Sequence, residues 1–279
     1  MAVYHLCVKT FSRTHGAAAT ASAAYRSATK IRDERTGQIY DFTRKRGVVH
    51  SEIILPMGVV MMSRSKLWNA AEASEGRKNS TVAREYEVSL PAELDAMARQ
   101  ALALEFTRHL VDRYGVGADL CIHAPGRHGD GRNHHAHILT TTREITPDGF
   151  GAKTRILDDR KSGEIKLVRA AWAELANQAL ARAGHEARVD HRSLQVQGTD
   201  RAATIHLGAA ASAMERRGVL TERGNLNREI TALNQALEAL AEKRAELESL
   251  DKDPFAKYAA CSEQQTHEAK QQQAVEIER

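Results

Sequence analysis

Several absences narrow what this 279-residue chain can be. It has no run of about 18 apolar residues, so no membrane-spanning helix is expected. No basic-then-apolar leader opens it, so no secretion signal is expected. Cys7, Cys121 and Cys261 are odd in number and far apart, which fits a reducing cytoplasm. Cys7 and Cys121 lie in strand-like runs and read as buried small hydrophobes. Aromatic residues make up only 5% of the chain, too few for an extended base-stacking platform. There is no Gly-x-x-x-x-Gly-Lys-Ser/Thr, which excludes a Walker-type motor. A His-Glu-x-x-His helix of the metalloprotease kind is also missing, as is any internal repeat.

What the chain does have is unevenly placed charge and a concentration of histidine. Residues 1 to 50 hold nine Lys/Arg against three Asp/Glu, and residues 221 to 279 hold eight against twelve, so the body is basic and the end acidic. A basic body suits a polyanion. His135 and His137 bracket Ala136 at the head of an apolar run, and residues two apart on a strand share a face. His123 closes a second strand-like run, Ala118 to His123, and the intervening Gly/Pro/Asp/Asn-rich stretch has the composition of a connecting loop. If the two runs pair, three imidazoles converge on a divalent-cation site with positions open to substrate oxygens. His134 points to the other face and falls outside that set.

The periodicities give a coarse order of elements. Strands are expected over 2–9, 47–55, 84–90 and the hairpin 118–141. Helices are expected over about 16–31, 64–75, 92–113 and 167–183, the last ended by Gly184. In the 92–113 helix Leu94, Met97, Leu102, Phe106 and Leu110 mark the buried face. The order reads as α+β, an antiparallel sheet with helices packed on one side. Beyond Gly208, Leu226, Ile230, Leu233, Leu237, Leu240 and Leu247 fall at alternating four and three spacing, interrupted by Arg244. That seam suits either a helix folded back on its own domain or self-association through residues 226–250. The expected division is 1–208, a helical extension 209–252 and a polar, flexible tail 253–279.

Several blocks together resemble the MobA/MobL family of plasmid mobilization relaxases, which are HUH-type single-strand nicking enzymes. They are MAVYHLCVKTFSR at the start, ATASAAYRSA at 19–28, VVHSEIILP at 48–56, HHAHILTTTRE at 134–144, DGFGAKTR at 148–155 and AGHEARVDHRSLQVQG at 183–198. They occur in the family's order over roughly residues 1 to 210. The resemblance implies an HUH domain with a central antiparallel sheet flanked by helices and followed by a helical tail. It implies Tyr25 as nucleophile, His123, His135 and His137 as ligands of Mg²⁺ or Mn²⁺, and a bacterial cytoplasmic setting. Its implied partners are single-stranded DNA at a transfer origin, accessory relaxosome proteins and a coupling protein. Some relatives carry Pro where this chain has His134. In rolling-circle initiators, which share the chemistry, the tyrosine typically follows the histidine motif, whereas Tyr25 precedes it. A non-catalytic DNA-binding module of the same fold is the remaining alternative, and the retention of Tyr25 and all three histidines argues against it.

The residue types suit that chemistry. A phenol ionises near 10 and must be deprotonated or polarised as it attacks, and a cation held by neutral imidazoles keeps its full charge for the phosphate. The run Arg84 to Leu90 alternates, with Glu85, Glu87 and Ser89 on one face. One of the two carboxylates is expected to accept from a ligand imidazole or take a proton, Glu87 in preference to Glu85. Lys9, Arg13 and Arg26 flank the tyrosine on strand and helix and are the expected DNA contacts. Arg44-Lys45-Arg46 is the densest basic cluster.

Overall fold

The computed structural model describes residues 3–126, 130–159 and 161–252. They divide into two compact units, one ending at His191 and one starting at Arg192, so the first unit closes before the expected boundary at 208. The expected tail, 253–279, and Cys261 lie outside the described residues.

In chain order the first unit runs β1 (Leu6–Ser12), α1 (Ala19–Ser27), β2 (Lys30–Arg32), β3 (Ile39–Asp41), β4 (Val48–Ile54), α2 (Arg64–Ala73), β5 (Thr81–Ser89), α3 (Ala96–Tyr114), β6 (Val116–His123), β7 (His135–Thr146), β8 (Gly149–Lys153) and α4 (Glu164–Arg182). An antiparallel sheet in the order β1-β5-β7-β6-β4, with β8 on the far end of β7, forms its centre, and β2 and β3 make a separate small hairpin. The α+β class holds. Helices cover both faces of the sheet rather than one, however, because β5, β6 and β7 are central strands with apolar side chains on both sides. Tyr86, Val88, Leu120, Ile122, Ala136 and Ile138 pack with Leu102, Phe106 and Leu110 of α3 and Trp172 and Leu180 of α4. On the reverse face, Ala83, Leu139 and Ile145 pack with Ala23 and Ala24 of α1 and with Leu67 and Trp68 of α2. The three histidines lie on this second face.

Local chemistry sets the element ends. Asp95 caps α3 by accepting from Ala98 N at 2.8 Å, which starts the helix later than expected. Leu94 is buried just outside it, while Met97, expected in the core, is 82% exposed. Gly115 ends α3 in the left-handed region, φ 63°, where glycine carries no steric cost. At Gly117 a Cβ would come within 2.6 Å of Ile145 Cδ1 and 3.2 Å of Leu67 Cδ1, so a side chain there would force Ile145 to shift. Helix α1 ends at Ala28, φ 56°, the one non-glycine residue with positive φ among those described. The residues that follow, the first of them expected in the helix over about 16–31, form the β2–β3 hairpin.

The second unit contains α5 (Gly208–Arg216) and α6 (Glu222–Lys252), which carries the heptad seam. Asn227 and Asn234 of α6 hold the extended segment before α5 through paired bonds to Ile205 and Ala202, each 2.8–2.9 Å. Leu226, Leu233, Leu240 and Leu247, seven residues apart, all stand exposed.

Candidate active site

The sheet register stacks the second face in rows. His123 is opposite His135, and His135 is opposite Ser89. The next row is Cys121, His137, Glu87 and Cys7, and the one after it Asp119, Leu139, Glu85 and Lys9. Directly opposed residues project to the same side, so the three imidazoles meet. Their ring centroids are 4.7 Å (His123–His137), 5.2 Å (His135–His137) and 5.3 Å (His123–His135) apart.

Each ring is oriented by a hydrogen bond from one nitrogen. His123 Nε2 donates to the Arg26 carbonyl at 2.7 Å, His135 Nδ1 to the Asn133 carbonyl at 3.0 Å, and His137 Nδ1 to Glu85 Oε1 at 2.8 Å. The other nitrogen of each keeps its lone pair. Burial pushes the His123 pKa down to about 4 and lowers that of His135 as well, so both are neutral at pH 7. Ligand atoms of the three come within 4.8 Å of one another. Neutral imidazoles, fixed tautomers and convergent nitrogens are what a divalent cation requires, so the donor set fits one. Glu85, Glu87 and His137 form a second group of potential ligands, and His134 belongs to neither among the described residues.

Glu85 and Glu87 share the face, as the alternation predicts, but the carboxylate on His137 is Glu85's and not Glu87's. The Glu85 side chain is fully buried and receives Arg26 as well, Nη2 at 2.8 Å and Nε closer still. Burial alone would raise its pKa, yet the bonds from Arg26 and His137 hold it at about 2. Glu87 is partly exposed and pairs with Lys9.

Tyr25 sits in the last turn of α1, half exposed, next to the Arg26 carbonyl that binds His123. Its ring meets Phe42 edge-on at 5.2 Å. Lys45 Nζ lies 3.9 Å over the ring centroid and donates to the Tyr25 carbonyl at 2.8 Å.

Of the three cations expected to contact DNA, two face inward. Arg13, its side chain 9% exposed, donates to Glu72 Oε2 from Nε (3.0 Å) and Nη2 (2.6 Å) and to the Glu75 carbonyl from Nη1 (2.7 Å). It is a brace: Glu72 Oε1 accepts from Ala19 N at 2.6 Å and thereby caps α1. Arg26, 13% exposed, is taken up by Glu85 and lies over Phe11. Lys9 alone of the three is half exposed, though it too is paired. The basic residue that does reach Tyr25 is Lys45, which strand and helix patterns miss because it lies in the turn between β3 and β4. Its only trace in the sequence is membership of the Arg44-Lys45-Arg46 run. Cys121 is buried as expected, while Cys7 is only partly so.

Known proteins resemble the chain over most of its length. The MobA/MobL family model matches residues 17–217. The mobilization protein MobL of Acidithiobacillus ferridurans is 42% identical over 277 residues, covering 89% of this chain and 73% of that protein. Mobilization protein A of Escherichia coli is 33% identical over 270 residues, covering 88% of this chain and 35% of that protein. A solved structure bearing on vancomycin resistance transfer in Staphylococcus aureus superposes with a TM-score of 0.63 at 32% identity, over 69% of this chain and all of that one.

Proposed function

The chain belongs to the MobA/MobL family of mobilization relaxases, and from that premise we propose that it nicks one DNA strand at a plasmid transfer origin through Tyr25, beside a cation held by His123, His135 and His137. The observation that carries this reading is the oriented triad of imidazoles, one of them bonded to the carbonyl of the residue after Tyr25. When bound, the cation supplies Lewis-acid polarisation of the scissile phosphate. Tyr25 Oη attacks phosphorus and the bond to the 3′-oxygen breaks. The phenolic proton leaves to solvent and the 3′-oxygen takes one up. The products are a 5′-phosphotyrosyl adduct and a free 3′-hydroxyl. One ester replaces another, so the reverse attack rejoins the strand after transfer. Glu85 fixes the tautomer of His137 and, being ionised, neutralises Arg26. Of Mg²⁺ and Mn²⁺, an imidazole set suits Mn²⁺ better than the hard, oxygen-seeking Mg²⁺.

The partners follow from the same reading: single-stranded origin DNA, accessory relaxosome proteins and a coupling protein, with the exposed leucine stripe of α6 available for self-association. No helix among the described residues is long and apolar enough to cross a membrane. The test is to incubate the protein and Mn²⁺ with a library of plasmid-origin oligonucleotides and sequence the cleaved ends. Adduct on the 5′ end of the downstream fragment is expected with the natural protein and not with Tyr25→Phe. An adduct of normal yield in the Phe variant refutes the reading.

A further inference from the structure

The loop from Phe42 to Gly47 is pinned at both ends of the site. Phe42 N donates to the Thr29 carbonyl just beyond α1 at 3.1 Å, Lys45 N to the Phe42 carbonyl at 2.8 Å, and Ala124 N, just beyond His123, to the Gly47 carbonyl at 2.8 Å. Arg44 and Arg46 are exposed, whereas Lys45 between them is half-buried and turned onto Tyr25. Its ammonium carries three donors and spends one on the Tyr25 carbonyl. The other cations of this region are matched: Arg26 with Glu85, Lys9 with Glu87, Arg13 with Glu72. Lys45 forms no ion pair among the described residues, and its loop is tied through Gly47 to the backbone next to His123. A fixed cation on the Tyr25 ring, in a loop tied to the backbone beside His123 and without a carboxylate partner among the described residues, has one natural complement there, an oxygen of the phosphate that Tyr25 must attack.

Taking Tyr25 as the nucleophile on the reading above, we propose that Lys45 is a catalytic residue whose ammonium bonds a non-bridging oxygen of the scissile phosphate during attack. It stays protonated throughout. The Tyr25 Oη–P bond forms, the P–O3′ bond breaks, and Lys45 supplies charge and a donor without exchanging a proton.

The test is single-turnover nicking of the mapped origin oligonucleotide, alone or with a methylphosphonate at the scissile position in both stereoisomers. It compares the natural protein with Lys45→Met, Lys45→Arg and Tyr25→Phe. Lys45→Met keeps the aliphatic stem over the ring and should slow nicking of ordinary DNA about 10²-fold, the cost of removing one preorganised donor to a developing charge. Lys45→Arg should recover most of that loss. Replacing the charged oxygen with methyl should slow the natural protein but cost Lys45→Met much less in at least one stereoisomer, because the partner is already gone. Equal slowing of both proteins by both stereoisomers overturns the proposal and leaves Lys45 a clamp on α1. Loss of nicking in Tyr25→Phe with equal slowing rejects Lys45 alone, whereas normal nicking by Tyr25→Phe rejects the underlying reading.

Discussion

Replacing Glu85 by Gln isolates the carboxylate that organises the site. The side chain is fully buried and ionised, with two bonds from Arg26 and one from His137. Gln has nearly the same shape but offers one acceptor oxygen and an N–H₂ that faces donors, so at least one charge-assisted bond is lost. The loss of such a bond costs about 1.5–3 kcal/mol. At roughly 2–4 °C per kcal/mol for a unit of this size, the melting temperature should fall by about 5–10 °C. His137 also loses the group that fixes its tautomer, which should weaken metal affinity about 10–100-fold. Glu87→Gln makes the control: its pair with Lys9 is partly solvated, worth about 0–1 kcal/mol. Calorimetric titration with Mn²⁺ and thermal melts of the metal-free protein read both effects. If Glu87→Gln weakens Mn²⁺ binding as much as Glu85→Gln does, the assignment of the orienting carboxylate is wrong.

Other perturbations separate brace, ligand and appendage. Alanine at His123, His135 or His137 should abolish tight Mn²⁺ binding, while His134→Ala should leave the calorimetric titration unchanged. Arg13→Ala should cost about 1.5–3 kcal/mol, since buried Glu72 loses its bonds from Arg13 but keeps Arg35 at 3.6 Å and the Ala19 amide, yet leave the slope of log K against log salt for DNA binding unchanged; a flattened slope would restore Arg13 as a phosphate contact. Burial pushes the Glu75 pKa up, but Lys153 and Arg143 hold it below its ordinary value, so its stabilisation is full above about 4.5 and fades as pH falls toward the depressed folded value. Glu75→Gln should therefore lower stability at neutral pH and flatten the acid side of a melting-temperature profile. Deleting residues 221–279 should spare oligonucleotide cleavage while altering oligomeric state by light scattering.

The histidine hairpin was legible because period-two alternation and a Gly/Pro-rich loop are local signals, and they put His123, His135 and His137 on one face as the register does. The choice between Glu85 and Glu87 was not. Both obey the same alternation, and the register even sets Glu87 directly across from His137. Arg26, reaching in from α1, holds Glu85 against His137, while Glu87, though close by, pairs with Lys9, and neither contact leaves a mark in a strand pattern. The same reason hides the inward turn of Arg13 and Arg26: a flanking cation looks alike whether it meets a phosphate or a buried carboxylate. Short elements such as β2, β3 and β8 hold too few residues to display a period.

Arg26 and His123 are 97 residues apart in the chain, whereas His123 and His135 face each other across a single hairpin. Closing the longer loop costs about 2 kcal/mol more chain entropy than closing the hairpin, and β1 must also wait for β5 before it can join the sheet. Assembly of the site therefore has an order in time. Contact order favours the three imidazoles meeting first, across one hairpin, and the helix bearing Tyr25 joining them afterwards. Because His123 is oriented by the Arg26 carbonyl and His137 by Glu85 of β5, the imidazoles take their final orientation only when α1 and β5 have joined the hairpin.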